Sequence, residues 1–124
     1  MSEAPPPPLN LTLTRRDPRT LRVRLDGDLD YLTSGRFLAT VLPPLEDEAG
    51  LAVLELDCAG LGLCDSAGLA ALLMVRRRAT AASVGLRLDH RPDRLDHLLE
   101  LTGTLRHLTG RPAPAQPRTE PGRP

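Results

Sequence analysis

One serine, Ser66, stands in the run Cys64-Asp65-Ser66-Ala67-Gly68, between a glycine-containing stretch and a leucine-rich segment of helical spacing. A serine beside an aspartate at such a junction can do three kinds of chemistry. Its oxygen, or the Asp65 carboxylate beside it, can cap the helix by accepting from an orphan N–H group, which is worth about 1 kcal/mol. It can attack a carbonyl if a histidine takes its proton. It can also accept a phosphate, which adds charge at one point on the surface. The nucleophile reading is poorly supported. A G-x-S-x-G elbow needs a glycine two residues before the serine, where this chain has Cys64, and nothing in the sequence fixes His90, His97 or His107 beside Ser66. Gly60, Gly62 and Gly68 match neither G-x-G-x-x-G nor a P-loop, and the chain has no lysine to grip a terminal phosphate. Cys58 and Cys64 have no matching Cys or His pair at zinc-ligand spacing, so they read as free thiols, with no disulfide, metal or other cofactor implied.

The elements around Ser66 follow from apolar spacing. Leu9, Leu11 and Leu13 alternate with polar residues, as do Leu21, Val23 and Leu25, and Asp17-Pro18-Arg19 between them predicts an antiparallel hairpin. Asp26-Gly27-Asp28-Leu29-Asp30 then ends the second strand as an exposed acidic loop. Thr33 or Ser34 can cap a helix that presents Phe37, Leu38, Val41, Leu42 and Leu45, with a stop or kink near Leu42 because Pro43-Pro44 removes backbone donors. Leu51 to Leu56 is a nearly continuous apolar run, as expected of a central strand covered on both faces, and Ala59 to Leu63 reads as a loop. Leu69, Leu72, Leu73, Val75 and Ala79 define the next helix, whose far face carries Arg76, Arg77 and Arg78 as a solvated surface. Val84, Leu86 and Leu88 form another strand. Pro92 then opens a last helix with Leu95, Leu98 and Leu99, Gly103 suits its left-handed cap, and Leu105 to Leu108 makes a closing turn. Strands alternating with helices after a hairpin predict a small α/β domain, a mixed sheet of four to five strands with helices packed against it.

Composition sets outer limits. The chain has 124 residues, room for one domain of ordinary size. Residues 1–8 and 109–124 hold nine of the 13 prolines (Pro5 to Pro8, Pro112, Pro114, Pro117, Pro121 and Pro124) and read as disordered ends flanking a domain over 9–108. Sixteen basic residues, all arginine, balance sixteen acidic ones. With formal net charge +0 and 2% aromatics, no total field or stacking platform favours nucleic acid. No run of about 18 apolar residues predicts a membrane span, and the start lacks the order of a secretion signal, so a cytoplasmic protein is expected.

Four segments in order carry a family resemblance: Gly27-Asp28-Leu29-Asp30 between strand and helix, the strand Leu51 to Leu56, Cys64-Asp65-Ser66-Ala67-Gly68-Leu69, and the late helix ending Leu99-Glu100-Leu101-Thr102-Gly103. Over nearly all of Leu9 to Leu108 the chain resembles the bacterial anti-sigma factor antagonists, whose fold is the STAS domain. The resemblance implies a non-enzymatic switch in transcription regulation and stress response. The unphosphorylated protein binds an anti-sigma factor that is also an ATPase-like serine kinase, which frees a sigma factor. Phosphorylation of Ser66 releases it, and a serine phosphatase resets it. The implied docking surface is Asp28, Asp30, Thr33, Asp65, Ser66, Ala67, Gly68 and Leu69. Ala67 stands where many relatives have a second serine, but the acceptor is the first. The alternative is a STAS-type adaptor that docks constitutively to a partner, with Ser66 only a helix cap.

Overall fold

The computed structural model describes residues 9–47, 49–104 and 108. The expected Pro-rich ends and positions 105–107 of the expected closing turn lie outside the described residues; Leu108 is buried, and its N–H bonds the Thr104 carbonyl at 2.9 Å. The elements run β1 (Leu9–Asp17), β2 (Thr20–Leu29), α1 (Ser34–Asp47), β3 (Val53–Cys64), α2 (Ser66–Ala81), β4 (Gly85–Asp89) and α3 (Asp93–Leu101). One mixed sheet has the order β1-β2-β3-β4, with β1 antiparallel to β2 and the β2, β3 and β4 pairs parallel. No helix among the described residues is long and apolar enough to cross a membrane.

The hairpin forms where alternation placed it. Arg19 N–H bonds the Asp17 carboxylate at 2.8 Å, an Asx turn that fixes the two-residue connection. The crossovers from β2 to β3 and from β3 to β4 step across the sheet in the same direction, so their right-handed sense puts α1 and α2 on one face. That face carries the core. Leu21, Val23, Leu25, Leu54, Leu56, Cys58, Leu86 and Leu88 from the sheet are buried with Phe37, Val41 and Leu45 of α1 and Leu69, Leu72, Val75 and Ala79 of α2. At about 1.5–3 kcal/mol for each fully buried aliphatic or aromatic side chain, this layer is the main driving force of folding.

Sequence expectations fail at several places, each for a physical reason. The acidic segment is not a loop. β2 continues through it to Leu29, which is fully buried, and β3 continues beside it through the glycines, pairing Asp26 with Gly60, Gly27 with Leu61 and Leu29 with Cys64. Gly60 and Gly62 lie within a strand because the Asp26 and Asp28 side chains fold over them, into the space a Cβ would take. Helix α1 does not stop at Pro43-Pro44 but runs to Asp47. Pro43 and Ala39, whose carbonyl loses its intrahelical donor, are both exposed, so water can satisfy that carbonyl while buried Leu45 holds the last turn.

Nor is β3 covered by helices on both faces. Opposite the apolar layer its side chains are Glu55 and Asp57, and their register partners are Arg22 and Arg24 on β2 and Arg87 and Asp89 on β4. Glu55 accepts from Arg22 at 2.8 Å, Arg16 at 3.0 Å and Arg87 at 3.3 Å, cations from three strands. Paired this way, Glu55 is only 3% exposed. Pro92 sits one position earlier than expected, capping α3 from outside, and Gly103 ends that helix at φ 72° as predicted.

Burial pushes the Asp57 carboxyl up, but the Ala59 N–H at 3.1 Å, His90 at 3.1 Å and the Arg22 charge outweigh it, and the net shift is downward. A carboxyl lowered in the folded state stabilises above its unfolded pKa, and that stability is lost as pH falls through the folded value. Urea midpoints should therefore drop below about pH 4, and Asp57→Asn should start lower at pH 7 and show a shallower acid drop. Parallel pH curves for the two proteins would remove Asp57 from the acid response. The start of α2 offers a second measurement. A Cβ on Gly68 would run into the Leu29 carbonyl group and lie 3.0 Å from Cys64 Sγ. Gly68→Ala should cost about 1–3 kcal/mol in chemical denaturation, since backbone rather than a side-chain tip must move.

Candidate functional site

The carboxyl ends of β2 and β3 meet the amino ends of α1 and α2, which is where open α/β sheets place their sites. Two short connections, 30–33 and 65, build this end, and carboxylates tie them together. Asp30 Oδ1 accepts from Leu32 N–H at 2.9 Å and Thr33 N–H at 3.2 Å, while the Asp30 carbonyl accepts from Ser34 N–H at 2.8 Å. Thr33 is only 3% exposed. Its hydroxyl donates to the Asp28 carbonyl at 2.8 Å and accepts from Asp30 N–H at 2.9 Å. It holds the turn against β2 instead of capping α1 with its side chain, and it is too buried to meet a partner. Asp28 Oδ1 accepts from Leu63 N–H at 2.8 Å, bracing the end of β3.

Asp65 makes the central connection. One carboxylate oxygen accepts from Gly68 N–H at 2.9 Å and caps α2; the other accepts from Tyr31 N–H at 3.2 Å. Its own N–H bonds the Leu29 carbonyl at 3.3 Å. The cap is thus Asp65, and Ser66 is the first residue of the helix, exposed. Among the described residues nothing hydrogen-bonds the Ser66 hydroxyl. Asp28, Asp30, Asp65 and Ser66 are brought to one surface. Ala67 is half-buried beside them, whereas Gly68 and Leu69 are buried and support the site from beneath.

No catalytic partner stands by Ser66 among the described residues. His90, held at φ 58°, places Nδ1 3.1 Å from Asp57 Oδ1 on the charged sheet face, and His97 lines an open hollow on α3 with Asp93, Arg94, Asp96 and Glu100. His107 lies outside the described residues. No group of His, Cys, Asp and Glu among the described residues is arranged to hold a metal ion. Burial raises the Cys58 thiol to about 12, and burial with the Asp65 charge raises Cys64 to about 11, so both are neutral and unreactive at pH 7.

Sequence reasoning missed Tyr31, Leu32 and Leu63, which stand at this end with large exposed side chains. The signal was present: two apolar residues directly follow the acidic segment, and Leu63 directly precedes Cys64-Asp65-Ser66.

A family model described as "Mlab, STAS domain" matches residues 12–109. No curated protein matches the sequence. Among solved structures, an anti-sigma factor antagonist from Mycobacterium paratuberculosis superposes with a TM-score of 0.70 at 18% identity, over 89% of this chain and 86% of that one. The anti-sigma factor antagonist SpoIIAA of Bacillus, in its unphosphorylated form, gives 0.67 at 18% identity over 76% of this chain and 81% of its own. A sulfate transporter family protein from Wolinella succinogenes gives 0.62 at 20% identity over 73% and 72%. The structural likenesses agree on the fold, and the family match extends across the sheet, the helices and the Ser66 junction: this chain belongs to the STAS domain family.

Proposed function

We propose that the protein is a cytoplasmic anti-sigma factor antagonist, a binding protein and not an enzyme, switched by phosphorylation of Ser66. One observation carries the reading: Asp65 caps α2, so the Ser66 hydroxyl stands exposed at the start of the helix and is not needed for the cap. A kinase can reach it without unfolding anything. A phosphate there adds about −1.5 to −2 charge beside the positive end of the helix dipole, so the fold tolerates it. A partner docked over the same spot has to desolvate that charge next to Asp65, and does not tolerate it. Unphosphorylated, the protein holds an anti-sigma factor of the ATPase-like serine kinase type; phosphorylated, it lets go, and a serine phosphatase restores it. SpoIIAA, similar in fold, has been solved in unphosphorylated and phosphorylated forms.

The second reading is a constitutive adaptor, favoured by the likeness to the sulfate transporter family protein. One experiment separates the two. The protein is incubated with ATP and the ATPase-like anti-sigma factor kinases of its own organism, and followed by intact mass. The switch predicts one added phosphate, absent from Ser66→Ala. Ser66→Asp should weaken kinase binding by about tenfold or more while shifting stability by no more than about 0.5 kcal/mol, since the site is exposed and the charge suits a helix start. No phosphate incorporated, with Ser66→Asp binding its partner as tightly as wild type, would leave the adaptor.

A further inference from the structure

We propose that Tyr31, Leu32 and Leu63 form the apolar centre of the docking surface around Ser66, and that its occupant is a folded protein face of apolar side chains rimmed by arginine or lysine. The inference rests on the Ser66 switch and names the contacts and chemistry that the switch interrupts.

Five large apolar side chains stay exposed among the described residues: Leu13, Tyr31, Leu32, Leu63 and Leu101. Leu63 lies three residues before Ser66, Tyr31 is one hydrogen bond from Asp65, and Leu32 follows Tyr31 in the chain. Tyr31 is 74% exposed, Leu32 75% and Leu63 58%. The sequence has one tyrosine, one phenylalanine and no tryptophan, and Phe37 is fully buried, so its one exposed aromatic side chain stands here. Aromatic anchors of this kind dominate interface energetics when a partner desolvates them.

The surface is also built stiff. Tyr31 N–H is fixed to the Asp65 carboxylate, Leu32 N–H to Asp30 and Leu63 N–H to Asp28, so each apolar residue is held at its backbone by an aspartate. Backbone already ordered loses little further entropy on binding. Charge chooses among occupants. Residues 24–36 and 58–75, which include this end, carry four carboxylates (Asp26, Asp28, Asp30, Asp65) and two arginines, Arg24, which pairs with Asp26 at 3.1 Å, and Arg36 in the first turn of α1, so the surface is net acidic. A second copy would bring like charges together, and an anionic membrane would be repelled. A partner with an apolar patch and a basic rim meets both parts of the surface.

The test uses the kinase that phosphorylates Ser66 in the experiment above, titrated calorimetrically with full-length variants whose thermal stability matches wild type. Tyr31→Ala and Leu63→Ser should each weaken binding by about tenfold or more, and raise KM for phosphorylation of Ser66 with little change in kcat. Leu13→Ser and Leu101→Ser, exposed leucines elsewhere, should bind as wild type does. Affinity should fall as salt rises. Wild-type affinity in Tyr31→Ala and Leu63→Ser, with Ser66 still phosphorylated and Ser66→Asp still weakened, overturns the docking centre and leaves the switch standing. Equal losses in all four variants, or binding indifferent to salt, also overturn it. Self-association that Tyr31→Ala abolishes in sedimentation, or binding to anionic phospholipid vesicles, overturns it by assigning another occupant. If no kinase binds or phosphorylates the wild type, the switch and the docking centre fall together.

Discussion

The Asp65 carboxylate is the constraint on which the end of the domain around Ser66 depends. Its two oxygens serve two elements at once, the Gly68 N–H at the start of α2 and the Tyr31 N–H in the connection after β2. Its own N–H is spent on the Leu29 carbonyl, so β2, the turn after it and α2 are joined through one residue. An orphan donor of the helix and a donor of the turn are satisfied by the same group, and the charge favours the helix amino end. The consequence for Ser66 is indirect. Because its neighbour does the capping, the serine hydroxyl holds no hydrogen bond among the described residues, and a change in its chemistry need not disturb the fold.

That division of labour repeats across the sheet. One face is apolar and covered by α1 and α2; the other is closed by charged side chains around Glu55 and Asp57. A carboxylate as buried as Glu55 is costly unless paired, and Arg16, Arg22 and Arg87 pair it from three strands. Burial pushes the Arg22 guanidinium down, but its bonds to Glu55 and Asp89 carry it above the ordinary value, consistent with a cation held firmly in place. The ion pairs thus link β1, β2, β3 and β4 side by side on the face that no crossover helix covers. With one face filled by helices and the other by ion pairs, the exposed apolar side chains at the ends of β2 and β3 are not part of either layer.

Period-two alternation and caps made the hairpin, the helices α2 and α3 and the final strand legible, because those signals are local. The failures all involve partners distant in sequence. Asp26-Gly27-Asp28 looks like a turn from its own composition, and Gly60 and Gly62 look like a loop from theirs. Each becomes strand because the other lies beside it, with the aspartate side chains filling the space the glycines leave. Glu55 looked like one polar interruption in a buried strand, since its arginine partners sit 39, 33 and 32 residues away. At the site, Ser66 and Asp65 were readable from position in the chain, but only the hydrogen bond from Tyr31 N–H reveals that the turn after β2 is fastened to them.

Under the proposed switch, a negative group would have opposite effects at two places on one surface. Aspartates at the rim of an interface remain partly hydrated and attract a basic partner at little desolvation cost. On the proposed docking surface, a phosphate on Ser66 would lose its water on closure, at an effective penalty of several kcal/mol per ion. Loss of water on closure would also strengthen its repulsion from Asp65, which solvent screens in the free protein. In that arrangement the cations of a basic rim would be matched to Asp28 and Asp30 and would not repay it. The sign of the response therefore follows from where the charge is added, and it does so in a chain whose formal net charge of +0 supplies no background field to mask it.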